Sequence, residues 1–232
     1  MNRISCCVVL SLFVMLGAAN ADIKVSSVKG DVYVRHNVQE QWVRVAVGDI
    51  LKPEDSMKLE KESSATVLID GTNKLTLPEL VIVDLSDLRT LSQEELLLKL
   101  AMERIRSVPA GQQDEERQIP KTTTVYGKLR PSMESLSSPP PPAAVLQLNG
   151  THLLFEKGFY ATCVLKAKGL MRQYPDLPGR LDALLMVAGA LEKMKLDGEA
   201  LSEYLSIPTT GISPQQQAFI KDRIARLMQK DE

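Results

Sequence analysis

The sequence predicts a two-part protein: a small all-β sandwich or barrel, followed by an all-α unit of helical hairpins. Three observations predict this arrangement. Short alternating segments separated by turn residues fill the N-terminal part, apolar residues recur at helical spacing in the C-terminal part, and a stretch rich in Ser, Gln and Pro separates them. We expect the β unit with a following helix at residues 22–107, a linker at 108–145 and the helical unit at 146–232.

Residues 1–21 resemble a cleavable signal peptide. A basic start at Arg3 precedes an apolar run over residues 4–19, and Ala19-Asn20-Ala21 supplies small residues at the spacing of a signal-peptidase site. A membrane anchor needs ~20 apolar residues and basic flanks. We therefore expect cleavage after Ala21 and export to the periplasm, with secretion as the alternative. No later apolar run is long enough to predict a membrane span in the mature chain.

The cysteines predict that packing, and not a disulfide, stabilises the exported chain. The sequence has three cysteines, and Cys6 and Cys7 lie within the predicted signal peptide. Only Cys163 then remains, so no intramolecular disulfide is possible. A single helical cysteine is most often a small buried apolar residue, and a reactive thiol is the less common case.

The β unit is predicted from alternation and turn chemistry. Val32 and Val34 alternate with more polar neighbours, and turn residues separate this segment from the next. Asp70-Gly71 lies between two alternating segments and is the strongest hairpin signal, because glycine accepts the positive φ that a tight turn requires. Short segments rich in Val, Ile and Thr at this spacing are typical of a small sandwich or barrel.

Residues 23–85 resemble a FecR-type domain. The residues that carry the resemblance are Gly30-x-Val32-x-Val34, Trp42, Gly48-Asp49-x-Leu51, Asp55-x-Met57 and Asp70-Gly71-Thr72-x-x-Leu75. The resemblance implies an exported bacterial β module without catalytic residues. The regulator that names the family carries a cytoplasmic segment and a transmembrane helix before its β module. Because a signal peptide stands here instead, signalling to the cytoplasm would require a membrane partner.

A helix is expected directly after the β unit. Ser92 and Glu95 have the spacing of a capping box, in which each side chain binds the backbone N–H of the other residue. The apolar residues of this helix are Leu96, Leu97, Leu98, Leu100, Met102 and Ile105. So broad an apolar face predicts burial within the chain, with burial against a partner as the alternative.

The linker is predicted from composition. Its Ser- and Gln-rich stretch ends in four prolines at residues 139–142, which favour an extended, semi-rigid spacer. Residues 122–127 have strand character, and whether they add a strand to the β unit stays open at this point.

The C-terminal part contains two similar helical hairpins. Leu154, Cys163 and Ala167 correspond to residues that follow them by 37 positions, namely Leu191, Ala200 and Tyr204. The pattern resembles tetratricopeptide repeats, whose usual period is ~34 residues. The residues at the family's packing positions are Leu154, Cys163, Ala167, Leu170 and Pro175 in the first copy, and Leu184, Ala188, Leu191, Ala200 and Tyr204 in the second. Ser213-Pro214 predicts the start of a last helix that caps the second hairpin.

No catalytic, metal or cofactor motif is found in the sequence. The two histidines, His36 and His152, share no metal-ligand spacing with cysteines or paired carboxylates. A thiol–imidazole pair of Cys163 with His152 is the less favoured interpretation, since the repeat places Cys163 at a packing position. The aspartates beside turn glycines are Asp31, Asp49 and Asp70, where Asp favours the turn itself. A net charge of −1 gives no basic surface for nucleic acid.

Both resemblances imply protein–protein interaction, as an adaptor or scaffold of the bacterial cell envelope, without enzymatic activity. The first helix of each hairpin is expected to line any binding groove, and the matching positions are Leu148, His152, Phe155 and Glu156. One alternative is a periplasmic sensing regulator that acts through a membrane partner. A cell-wall carbohydrate binder using Trp42 ranks lower, because aromatic residues make up 4% of the chain.

Overall fold

The computed structural model describes residues 23–37, 39, 41–107 and 142–230. The predicted signal peptide, and residues 122–127 with their predicted strand, lie outside the described residues.

The N-terminal part forms two antiparallel sheets of four strands each. The strands are β1 (Ile23–Lys29), β2 (Val32–Arg35), β3 (Val43–Arg44), β4 (Ile50–Leu51), β5 (Ser56–Leu59), β6 (Ser64–Ile69), β7 (Asn73–Leu77) and β8 (Val81–Asp84). One sheet has the order β4-β1-β6-β7 and the other β3-β2-β5-β8. Val25, Val32, Met57 and Val67 are fully buried in the shared apolar core. The prediction of a β unit made of short alternating strands is thereby confirmed.

The predicted Asp70-Gly71 turn joins β6 to β7. Both residues have positive φ, 52° for Asp70 and 69° for Gly71, and the Thr72 N–H donates to the Ile69 carbonyl at 3.2 Å. Asp70 and Gly71 are the central residues of the β-turn that this hydrogen bond closes, and residues 70–72 separate the paired Ile69 and Asn73. This turn fixes the register in which β7 pairs with β6.

A short 3-10 helix at Leu85–Asp87 and six α-helices follow the sheets within the described residues. The α-helices are α1 (Gln93–Ser107), α2 (Pro142–Glu156), α3 (Tyr160–Gln173), α4 (Arg180–Lys193), α5 (Asp197–Ser206) and α6 (Pro214–Met228). Helices α2 and α3 form one hairpin and α4 and α5 the next, with α6 packed against α5. Helix α2 begins at the last proline of the 139–142 run, where a missing N–H and a fixed φ are compatible with a first helical position.

The predicted packing positions of the two hairpins are largely buried. The three pairs related by 37 residues are each at most 2% exposed: Leu154 and Leu191, Cys163 and Ala200, Ala167 and Tyr204. At the start of α6, the Ser213 hydroxyl accepts from the Gln216 N–H at 3.2 Å, and the Ser213 N–H donates to the Gln216 side chain at 3.0 Å. The predicted helix start at Ser213-Pro214 is confirmed.

Half of the capping box predicted for α1 is present. The Ser92 hydroxyl accepts from the Glu95 N–H at 3.1 Å. The Glu95 carboxylate does not complete the box, because it pairs with Arg89 at 3.0 Å and with Lys99 at 3.1 Å. Two cations within reach compete with one backbone N–H, and the prediction of a full box was wrong for that reason.

Helix α1 buries one apolar side and exposes another. Leu96 and Leu100 are buried against the rest of the chain, where α1 contacts α3, whereas Leu98 is 62% exposed and Met102 48% exposed. Leu98 lies about 200° around the helix from Leu96, so packing on one neighbour cannot cover both. The expectation that the whole apolar face is buried was wrong for Leu98 and Met102, and also for Leu97, which is exposed. The side chain of Ile105 lies outside the described part.

The helices contact the sheets directly through α2, which packs on β8, the outer strand of its sheet. The Asn149 side chain donates to the Leu80 carbonyl at 2.8 Å. At Gly150 the helix approaches so closely that a Cβ atom there would lie 2.1 Å from the Ile82 carbonyl oxygen. A glycine is therefore required where the helix backbone meets the strand backbone.

Candidate functional site

A cavity of about 530 Å³ opens between α2, α4 and α6. The sequence predicts that the first helices of the two hairpins, α2 and α4, line any groove; α6 was predicted only as the capping helix, and Tyr204 comes from α5. The residues around the cavity are Phe155, Leu185, Met186, Gly189, Glu192, Lys193, Tyr204, Phe219 and Arg223. We call this cavity the helical groove.

Two phenylalanines provide the apolar surface of the helical groove. Phe155 is held by an edge-to-face contact with Tyr160, with ring centroids 5.5 Å apart. Gly189 faces Phe155, and a Cβ at position 189 would lie 3.7 Å from the ring, so glycine keeps this part of the groove wide. Phe219 is 44% exposed, and the Arg223 guanidinium lies 5.2 Å from the centre of its ring. A large exposed aromatic ring in a concave site is a typical anchor for a partner's apolar side chain.

A carboxylate and a guanidinium lie at the base of the same groove. Glu192 Oε2 is 3.3 Å from Arg223 Nη1. Two further atoms, Glu192 Oε1 and Arg223 Nε, are buried without a hydrogen-bond partner in the described part of the chain. Burial, together with a hydrogen bond to the neighbouring Glu192 carboxylate and its charge, raises the pKa of the Tyr204 phenol further above its usual value. The ion pair of Glu192 and Arg223 therefore retains one unused acceptor, Glu192 Oε1, and one unused donor, Arg223 Nε.

The structure places the four predicted groove residues in different environments. Phe155 lines the groove. Leu148 is 5% exposed and packs against the turn at Gly179, so its side chain belongs to the core. His152 is half-buried and Glu156 exposed, and neither is among the residues around the cavity.

The repeat offset identifies the residues that this prediction missed. Adding 37 to the four predicted positions gives Leu185, Gly189, Glu192 and Lys193, and all four line the helical groove. The sequence therefore contained the signal for the α4 side of the site. No comparable signal pointed to Phe219 and Arg223, because α6 is a single helix without a second copy in the repeat.

A second cluster of charges lies where α3 meets the end of β8. The Lys166 ammonium contacts Asp84 and is 3.1 Å from Asp87. Burial by itself would raise the pKa of Asp84. The charge of Lys166 and the hydrogen bonds from Lys166 and Ser56 outweigh the effect of burial, and they hold the pKa of Asp84 below its usual value. Burial, together with the Asp84 charge, raises the pKa of Asp87. The cluster therefore favours the ionised form of Asp84 and disfavours that of Asp87, whose Oδ2 is buried without a hydrogen bond in the described part of the chain.

The outer face of the second sheet carries the single tryptophan. The Arg35 guanidinium lies 5.1 Å from the centre of the Trp42 ring, and the Lys58 ammonium 5.3 Å from it. Lys58 is also 5.1 Å from the centre of the Tyr33 ring. Both cations thus already use the Trp42 ring that a sugar would need as a stacking surface.

Cys163 is fully buried, and burial raises its pKa to about 12. We therefore expect the thiol to be inert in the native protein. In protein prepared without residues 1–21, reaction with a thiol-specific disulfide reagent at pH 7 should be about a thousandfold slower than in urea, since only the rare unfolded chain exposes the thiolate. Rapid labelling of the folded protein would instead identify a reactive cysteine.

Neither a metal cluster nor a membrane span is found among the residues that the structure describes. Within them, no group of three or more His, Cys, Asp or Glu side chains is placed to hold a metal ion. No described helix combines the length and the apolar character that crossing a bilayer requires. Comparison of the chain with family models, with curated proteins and with solved structures found no match.

Proposed function

We propose that this chain is a non-enzymatic protein-interaction protein, an adaptor or scaffold of the bacterial cell envelope that is exported to the periplasm. The observation that carries the proposal is the helical groove, which combines two phenylalanine rings with an incompletely paired carboxylate and guanidinium. The resemblances to a FecR-type domain and to tetratricopeptide repeats support the same conclusion, because both imply binding modules without catalytic residues.

The chemistry of the groove suits a segment of polypeptide. Phe155 and Phe219 offer apolar surface for one or two partner side chains. An amide group both donates and accepts hydrogen bonds, so a modest rotation of Glu192 and Arg223 towards the groove would let one amide satisfy both unused atoms. Satisfying buried polar atoms contributes to affinity because each unpaired group costs about 1–3 kcal/mol.

The partner can be identified by crosslinking from within the groove. A photoreactive amino acid in place of Lys193, which lines the groove, should capture the partner in living cells, and mass spectrometry then identifies it. The same substitution at Leu205 provides the control, because Leu205 is 63% exposed but lies on α5, the second helix of its hairpin.

Removing the aromatic rings should weaken binding of the partner so identified. We expect Phe219→Ala to lower the affinity about thirtyfold, corresponding to about 2 kcal/mol for a central aromatic anchor, and Phe155→Ala to act in the same direction. Leu205→Ala removes exposed apolar surface outside the groove and should leave the affinity unchanged. Calorimetric titration of the purified proteins measures the difference. Equal losses from all three substitutions would refute the groove as the binding site.

A further inference from the structure

The outer strand β7 has one side that pairs with β6 and another that no described strand covers. The directions of its backbone groups follow from the ladder. The neighbour of β6 on its other side is β1, which contains Val25. The Val25 N–H donates to the Asp49 carbonyl at 2.9 Å, and the Val25 carbonyl accepts from the Gly48 N–H at 2.8 Å, so both groups of Val25 point away from β6. Val25 lies opposite Val67, so Val67 directs its own N–H and carbonyl towards Leu75 in β7.

Alternation along β7 then assigns the free groups. Because Leu75 uses its backbone groups in the β6 ladder, Lys74 and Thr76 direct theirs away from the sheet. No backbone or side-chain group of the described residues hydrogen-bonds to the N–H or carbonyl of either residue. The outer strand of the other sheet differs, since α2 packs on β8 and Asn149 binds the Leu80 carbonyl beside it. Among the described residues, the β7 edge is therefore left open as a template for a further strand.

An apolar cavity of about 450 Å³ lies beside the start of β7. Ile69, Leu75, Leu85, Leu88 and Phe159 line its inner surface, and all of them are buried or half-buried. In an added strand, every second side chain points to the same face as Leu75. One such side chain would reach the cavity while the backbone pairs with Lys74 and Thr76.

The rim of this cavity is positively charged. Lys74, Arg89 and Lys157 line it, against one carboxylate at Asp70. Arg89 is paired with Glu95, whereas no ion pair to Lys74 or Lys157 is found in the described part of the chain. The unmatched charge favours an acidic residue in whatever binds here.

We propose that the β7 edge binds an extended segment of a partner protein by strand addition, in which apolar residues alternate with acidic ones. The backbone of the segment pairs with Lys74 and Thr76, an apolar side chain enters the cavity, and an acidic side chain faces Lys74 and Lys157. A second copy of this chain fits less well, because pairing two β7 edges would bring the unmatched Lys74 and Lys157 of each copy to one seam. The site is separate from the helical groove and does not depend on it.

The test uses a fluorescent nine-residue peptide in which valine alternates with aspartate, and the purified protein. We expect saturable binding by fluorescence anisotropy, and binding about tenfold weaker for a peptide with lysine in place of aspartate. Thr76→Pro should weaken binding about tenfold, since proline removes an N–H that the native sheet does not use and is tolerated on an edge strand. Thr76→Val keeps this N–H and is the matched control.

Hydrogen exchange on the unsubstituted protein gives a readout that does not depend on how the proline variant folds. The peptide should slow exchange of the Lys74 and Thr76 amides, and Phe219→Ala should leave this protection unchanged, which separates the site from the helical groove. Absence of binding, equal binding by Thr76→Pro, or unprotected amides at Lys74 and Thr76 would each refute the proposal. Protection that rises with protein concentration without peptide would assign the edge to a second copy instead.

Discussion

Replacing Gly150 by alanine should lower the free energy of unfolding by about 3 kcal/mol. The added Cβ would lie 2.1 Å from the Ile82 carbonyl oxygen, which belongs to the backbone of β8. A backbone atom in a sheet cannot rotate aside, so α2 must shift outward and lose packing against β8. Urea unfolding followed by circular dichroism measures the loss.

Gly169→Ala is the matched control for this substitution. Gly169 also lies within a helix, but the nearest atom to its added Cβ would be the end of the Arg172 side chain at 4.0 Å. Alanine there should raise the free energy of unfolding by about 0.5–1 kcal/mol, because glycine is the poorer helix former. If Gly150→Ala were as well tolerated as Gly169→Ala, the close approach of α2 to β8 would be disproved.

The Lys166 cluster should give the second large effect. Lys166→Met keeps the length of the side chain but leaves the half-buried Asp84 and Asp87 without their shared cation. We expect a loss of about 3 kcal/mol at pH 7, as for other buried ion pairs that lose one partner. Thermal or urea unfolding measures it, and Lys221→Met on the exposed surface of α6 serves as the control with no expected effect.

The two carboxylates of this cluster should respond to substitution with opposite signs. The pKa of Asp84 is lowered below 3.8 in the fold, so its ionised form stabilises the protein at neutral pH, and this contribution is lost as the pH falls below 3.8. The pKa of Asp87 is raised, so its ionised form costs stability at neutral pH, and protonation removes this cost as the pH falls towards 3.8.

Asparagine substitutions test these signs directly. At pH 7, Asp84→Asn should destabilise the protein by about 1–2 kcal/mol, whereas Asp87→Asn should be neutral or stabilise it by up to about 1 kcal/mol. Both differences from the unsubstituted protein should shrink when unfolding is measured below pH 3.8. A destabilisation of the same size by both substitutions would contradict the assignment.

Local patterns predicted the elements of this fold well. The Asp70-Gly71 turn and the helix start at Ser213-Pro214 depend on a few adjacent residues, and the structure contains both. The 37-residue offset predicted which helix positions are buried, because each hairpin must present the same apolar face to its neighbour. The same offset, applied to Phe155, leads to Glu192 in the helical groove.

Predictions that depended on competition between partners were less accurate. The Glu95 carboxylate binds Arg89 and Lys99 in place of the Ser92 N–H, and no local pattern ranks these partners. Leu98 and Met102 belong to an apolar face of α1 that the sequence shows plainly, but the direction from which α3 packs leaves them exposed. The width of an apolar face therefore did not reveal how much of it the chain covers.

The sequence by itself determined the order of β and α parts, the turns, and the repeat, because these follow from side-chain periodicity and from the φ angles that glycine, aspartate and proline accept. Only the tertiary structure decided how the parts meet. Gly150 and Lys166 lie in helices whose own patterns do not require glycine or lysine at those positions. Gly150 is required by the backbone of Ile82, and Lys166 by the carboxylates of Asp84 and Asp87. These partners are about 70 to 80 residues away in the chain.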